Sequence, residues 1–121
     1  MEKKPVSDAR KAAYDRLLAT HPEIQRKGAK LLYTSVNGHM FTVFSTEAKL
    51  GIRLPKAERE AFLSRFDTTI LESYGHRMPE YVTVPDALLE DTDALAPYLR
   101  MSYDYVTSLK PKPTKKPKKK P

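Results

Sequence analysis

The chain has 121 residues, with 22 Lys plus Arg against 15 Asp plus Glu and no cysteine. That length is one domain's worth, enough to bury roughly two-thirds of the unfolded surface and to fold without covalent or metal staples. Lack of cysteine excludes disulfide scaffolds, thiolate zinc sites, iron–sulfur clusters and cysteine nucleophiles. The opening stretch, "MEKKPVSDARKAAYDRLLATHPE", has no apolar run of signal-peptide length. Nowhere does an apolar run approach the roughly 20 residues of a membrane span, so a cytoplasmic protein is the expectation.

The formal charge of +7 is unevenly placed. Residues 1–109 balance 15 basic against 15 acidic side chains, and the excess is seven lysines of the last segment: Lys110, Lys112, Lys115, Lys116, Lys118, Lys119 and Lys120. This divides the chain into a neutral domain, 1–109, and a Lys/Pro-rich tail, 110–121. Such a tail cannot bury apolar surface and its prolines oppose helix, so it is expected to be disordered.

Ser7 can cap a first helix that runs to about Thr20 and buries Ala13, Tyr14, Leu17 and Leu18, with Pro22 stopping it. Ile24 to Lys30 is read as a further turn of helix. In "LLYTSVNGHMFTVFS", β-branched and aromatic residues flank Asn37-Gly38, the pair that favours a two-residue type I′ hairpin because both positions tolerate positive φ. A regular register would pair Val36 with His39, Ser35 with Met40, Thr34 with Phe41 and Leu32 with Val43. One face would then carry Leu31, Tyr33, Ser35, Met40 and Phe44, and the other Leu32, Thr34, Val36, Phe41 and Val43. Both faces are partly apolar, which suggests that both are covered, by helices or by a second chain.

The next stretch, "AKLGIRL", places Ala48, Leu50, Ile52 and Leu54 on one side of a third strand. Pro55 suits the first position of a helix with Phe62, Leu63 and Phe66 on its buried stripe. "TTILESYG" and "EYVTVP" read as two more strands joined by a loop from Gly75 to Pro79, "DALLED" as a short helical turn, and the last helix as starting near Pro97 and burying Tyr98, Leu99, Tyr105, Val106 and Leu109. The expected fold class is α+β: a single antiparallel-type sheet of about five strands with helices packed on it, in the order α-β-β-β-α-β-β-α.

These stretches resemble a known family. "VNGHMFTVFSTEAKLGIRLP", the helix with Phe62, and "YGHRMPEYVTVPDALLEDTDALAPYL" are similar to the TfoX/Sxy N-terminal domain, with Gly38 to Phe41, Lys49 to Arg53 and Tyr81 to Asp91 as the corresponding segments. The resemblance implies a non-catalytic regulatory module, since full-length members act with transcription machinery in bacterial natural competence. Those members add a helical C-terminal domain, so this chain is expected to be a stand-alone relative.

For chemistry the sequence offers little. His21, His39 and His76 are too far apart for a metal pair, and no cofactor is expected. The loop with Tyr74, His76, Arg77 and Glu80 gathers groups able to hold an anion or move a proton, against the simpler reading that it is a solvated turn. "EDTDALAP" lacks the pattern of a calcium loop and reads as a helix N-terminus. The tail lysines suggest weak, non-specific phosphate binding, with log affinity falling against log salt at a slope near −6 if all seven engaged duplex DNA at roughly −0.9 each. The plain alternative is a solubility segment. A protein partner or homodimer is the remaining expectation, with no membrane association.

Overall fold

A computed structural model describes residues 6–24, 32–45, 47–73 and 75–110. Helix α1 spans Asp8–Ala19, and the Ser7 hydroxyl accepts from the Arg10 amide as its N-cap. Strands β1 (Tyr33–Val36), β2 (His39–Phe44) and β3 (Leu50–Arg53) follow, then α2 (Lys56–Phe66), β4 (Ile70–Ser73), β5 (His76–Thr83), the short α3 (Asp86–Glu90) and α4 (Thr92–Ser108). The sheet is five-stranded and antiparallel, in the spatial order β1-β2-β3-β5-β4. The α+β reading and its element order hold, with α3 and α4 as separate helices at the end. Of the further turn expected from Ile24 to Lys30 only Ile24 is described, its amide donating to the His21 carbonyl at 2.9 Å, and all of the tail but Lys110 lies outside the described residues.

The Asn37-Gly38 turn forms as expected, with φ of 60° and 81°. Val36 pairs with His39 and Ser35 with Met40, but the register then slips so that Thr34 faces Thr42 and Tyr33 faces Val43. Phe41 is the extra residue of a β-bulge. The physical reason lies in the strand's own side chains. Phe41 and Phe44 have opposite parity in a regular strand, so one of them would be left on the outer face. Burying a phenylalanine is worth about 1.5–3 kcal/mol, more than the roughly 1 kcal/mol of one ladder hydrogen bond, and the bulge lets both rings enter the core. Both are 0% exposed. The regular-register faces are corrected accordingly: Phe44 joins Leu32, Thr34 and Phe41 inside, while Val43 moves to the side of Tyr33 and Met40.

The core lies between the inner sheet face and the helices. Leu50, Ile52, Leu54, Val82 and Val84 meet Tyr14, Leu17, Phe62, Leu95, Leu99 and Val106 in one cluster. Helix α4 crosses β1, β2 and β3, α2 sits against β5, and α1 and α3 pack on α4. Four buried polar residues, Thr34, Thr42, Ser45 and Ser102, are all hydrogen-bonded. Tyr14 reaches Thr42 at 2.7 Å, and Thr42 reaches Thr34 at 2.6 Å, which ties α1 to the bulged hairpin.

Two boundaries differ from expectation. Helix α4 starts at Thr92, because Asp91 caps it by accepting from the Ala94 amide, and Pro97 sits inside it. Pro97 is exposed, so the carbonyl left without its amide donor can bond to water. Strand β5 also starts earlier, at His76, because Gly75 (φ 77°) closes a tight turn. Pro79 is thus a strand residue rather than a loop residue. It lies in an irregularity where β5 places residues 78–81 opposite Leu71 alone, the kind of position where a strand tolerates a missing amide hydrogen.

Candidate functional site on the open sheet face

Strand alternation identifies the side of the sheet away from the core. Thr34, Ile52 and Val82 point to the helices, so Tyr33, Ser35, Met40, Val43, Gly51, Tyr81 and Thr83 belong to the opposite face. Among the described residues no helix packs there. Tyr33, Met40 and Tyr81 are half-buried yet take no part in the main core cluster. Of the expected cover for both faces, by helices or by a second chain, the helices are not met within the described residues.

The Tyr81 hydroxyl donates to the Met40 carbonyl at 2.6 Å, reaching across β3 from β5 to β2. Burial pushes its phenol up to about 12 from 10.0, against the nearby Arg53 cation, which lowers it, with Glu80 adding to the rise. Tyr81 is accordingly a neutral hydrogen-bond donor that fixes an aromatic ring on the open face. At one edge of this face, β1 pairs, among the described residues, only with β2. Its four residues, Tyr-Thr-Ser-Val, include neither charge nor proline.

Towards the other side of the sheet, the face carries a cleft of about 680 Å³ between the β2–β3 loop and the β4–β5 hairpin. Its floor includes Leu71, which lies over Gly51, and its walls include Ser45, Lys49, Thr69, Glu72, Arg77 and Thr83. Glu47 contributes a second carboxylate to the lining. Ser45 is only 2% exposed, and its Oγ accepts from the Glu47 and Lys49 amides at 3.2 and 3.3 Å. The Lys49 ammonium is 3.8 Å from Asp86, whose same oxygen is already held by Arg10 at 2.7 Å.

Of the four residues singled out as a ligand loop, the three described ones, His76, Arg77 and Glu80, do not converge. His76 and Arg77 are exposed at the start of β5, where they pair with Ser73 and Glu72, and Tyr74 lies outside the described residues. Glu80 is further along the strand and is engaged by Arg53 at 2.7 Å, while the Arg53 guanidinium lies over the Tyr105 ring at 5.6 Å. That arrangement joins β3, β5 and α4, a structural clasp. Of the three described residues, Arg77 alone lines the cleft. Its companions come from separate loops and strand ends, with no motif linking them. The usable sequence signal was the alternation in "EYVTVP", which sets Thr83 opposite in direction to Val82.

The root of the tail is held by the first hairpin. The Asn37 side-chain amide donates to the Leu109 carbonyl at 2.9 Å and to that of Val106 at 3.4 Å, and His39 Nε2–H donates to the Lys110 carbonyl at 2.9 Å. Lys112, Lys115, Lys116, Lys118, Lys119 and Lys120 lie outside the described residues. Among the described residues there is no cluster of three or more His, Asp or Glu able to hold a metal ion, and no helix long and apolar enough to cross a membrane. In comparisons with known proteins, the chain matches no family model, no curated protein and no solved structure.

Proposed function

We propose that the chain is a non-catalytic binding module, of the kind its resemblance to the TfoX N-terminal domain implies, and that its partner is a second copy of itself joined through the edge strand β1. The observation that carries this reading is the sheet face on which, among the described residues, no helix packs, together with an edge strand β1 that pairs there with β2 alone. Edge strands are usually blunted by charge or proline, whereas β1 has neither, and its Tyr33 and the neighbouring Met40 of β2 are residue types enriched in protein interfaces. Antiparallel β1–β1 pairing about a two-fold axis would place the same patch on both copies. The balanced charge of residues 1–109 favours a protein over a polyanion as the partner of the domain itself.

Ser35 offers the test. In a two-residue hairpin Val36 and His39 form the hydrogen-bonded pair, so the Ser35 amide points outward. Sedimentation equilibrium of the full chain should give a concentration-dependent mass approaching the dimer, and Ser35→Pro should return it to monomer without unfolding it. A strictly monomeric full chain would defeat the reading.

A second reading, a nucleic-acid-associated factor, is favoured by the placement of the whole charge excess in the tail. It predicts steeply salt-dependent duplex-DNA binding that vanishes when the seven tail lysines are replaced by glutamine. Salt-independent or absent binding would remove it and leave the tail a solubility segment.

A further inference from the structure

The open-face cleft is lined by groups that the fold has left unused. Glu72 and Arg77 are register partners of opposite charge, with Cβ atoms expected about 5 Å apart, yet they form no ion pair with each other. Among the described residues neither side chain makes a hydrogen bond or ion pair, and both line the cleft. Lys49 is held only at the outer limit of an ion pair, by a carboxylate that Arg10 already occupies. The hydroxyls of Thr69 and Thr83 are also uncommitted.

Ser45 adds direction. Two backbone amides approach its oxygen, so both lone pairs are engaged and its proton is what it has left to give. The walls therefore present a guanidinium, an ammonium and a buried hydroxyl donor close to an open carboxylate. An anion alone would meet Glu72 unfavourably, and a cation alone would meet Arg77 and Lys49. A ligand carrying both charges a few ångströms apart satisfies all of them.

We infer that this cleft binds the head group of a free α-amino acid. The ligand carboxylate lies against Arg77, Lys49 and the Ser45 hydroxyl, where a planar guanidinium can make two parallel hydrogen bonds. The ligand ammonium donates to Glu72, with the hydroxyls of Thr69 and Thr83 as additional acceptors. A cleft of about 680 Å³ leaves room for a side chain over Leu71. This site goes beyond the dimer reading and does not depend on it, since the residues are on β4, β5, the β2–β3 loop and the connection before β4 rather than on β1.

The experiment is an amide NMR titration of the full chain with L-alanine, propionate and ethylammonium at matched ionic strength. Propionate is alanine without its amine, and ethylammonium is alanine without its carboxylate. The expected result is a saturable shift of the Ser45, Lys49, Thr69 and Thr83 amides with alanine, and affinities at least about ten-fold weaker for the two fragments, since each loses a charge-assisted contact. Arg77→Gln and Glu72→Gln should each weaken alanine binding by about ten-fold on the same grounds, and their exposed positions leave the fold intact, as the rest of the spectrum will record. No saturable shift with alanine, propionate binding as tightly as alanine, or unchanged affinity in both variants would each overturn the assignment.

Discussion

The Asn37 side chain donates to the carbonyl of Leu109 at 2.9 Å, so the turn of the first hairpin caps the last helix, 72 residues away in sequence. Asn37 holds φ at 60°, a conformation asparagine tolerates better than most residues, which gives this position two separate duties. Asn37→Gly keeps the turn and loses the cap, and should cost about 1 kcal/mol. Asn37→Ala adds left-handed backbone strain and should cost about 2–3 kcal/mol. Urea denaturation of the three proteins measures both: an Asn37→Gly variant as stable as the parent would show that the cap contributes nothing, and equal costs for the two variants would show that the left-handed strain does not.

Tyr14, Thr42 and Thr34 form a chain of hydroxyls with 0% exposure. Removing one member leaves a neighbour short of a partner, whereas removing two removes the demand along with the supply. Tyr14→Phe and Thr42→Val should each destabilise by about 1–2 kcal/mol, and the double variant should cost less than their sum. Additive costs in a double-mutant cycle would mean that the two hydroxyls act independently.

Gly51 allows Leu71 to close over the open face. A Cβ at position 51 would come within 2.4 Å of Leu71 Cδ2 and 3.2 Å of its Cγ. Leu71 is only 1% exposed and has little room to withdraw. Gly51→Ala should cost about 1–3 kcal/mol through overpacking, and Leu71→Val, mildly destabilising alone, should recover part of it. Thermal unfolding of the single and double variants decides this, and no recovery would place the strain elsewhere.

Much of this architecture is legible in the sequence. Asn37-Gly38, the Ser7 cap and the alternation of Leu50, Ile52 and Leu54 act through near neighbours, so local reasoning reaches them. The bulge at Phe41 was not legible, because it arises from competition between two phenylalanines for one core, settled only when α1 and α4 are in place. Pro97 misled for a related reason: a proline near a helix start is a good local signal, but the Asp91 cap took precedence. The cleft was the least legible feature. Ser45, Thr69 and Arg77 are gathered by the order β2-β3-β5-β4, which no spacing along the chain records.

Tyr81 predicts an alkaline transition. Its phenol keeps its proton in the fold up to about pH 12, while in the unfolded chain it ionises near 10.0. The stabilisation is complete below pH 10 and is lost as the pH rises towards 12, amounting to on the order of 2 kcal/mol. Tyr81→Phe should be less stable than the parent at pH 7, by about 1 kcal/mol for the lost hydrogen bond to Met40, and should show a shallower decline above pH 10. Parallel alkaline slopes would assign the transition to other groups.

The most direct measurement of the central claim is amide hydrogen exchange of the Ser35 amide as a function of protein concentration. This amide points away from β2, so in a monomer it should exchange rapidly at every concentration. If two copies join through β1, its protection should rise with concentration in step with the dimer fraction, while the inward Val36 amide remains protected throughout. A Ser35 amide that exchanges equally fast in dilute and concentrated protein would contradict the proposal that β1 is the edge on which the chain assembles.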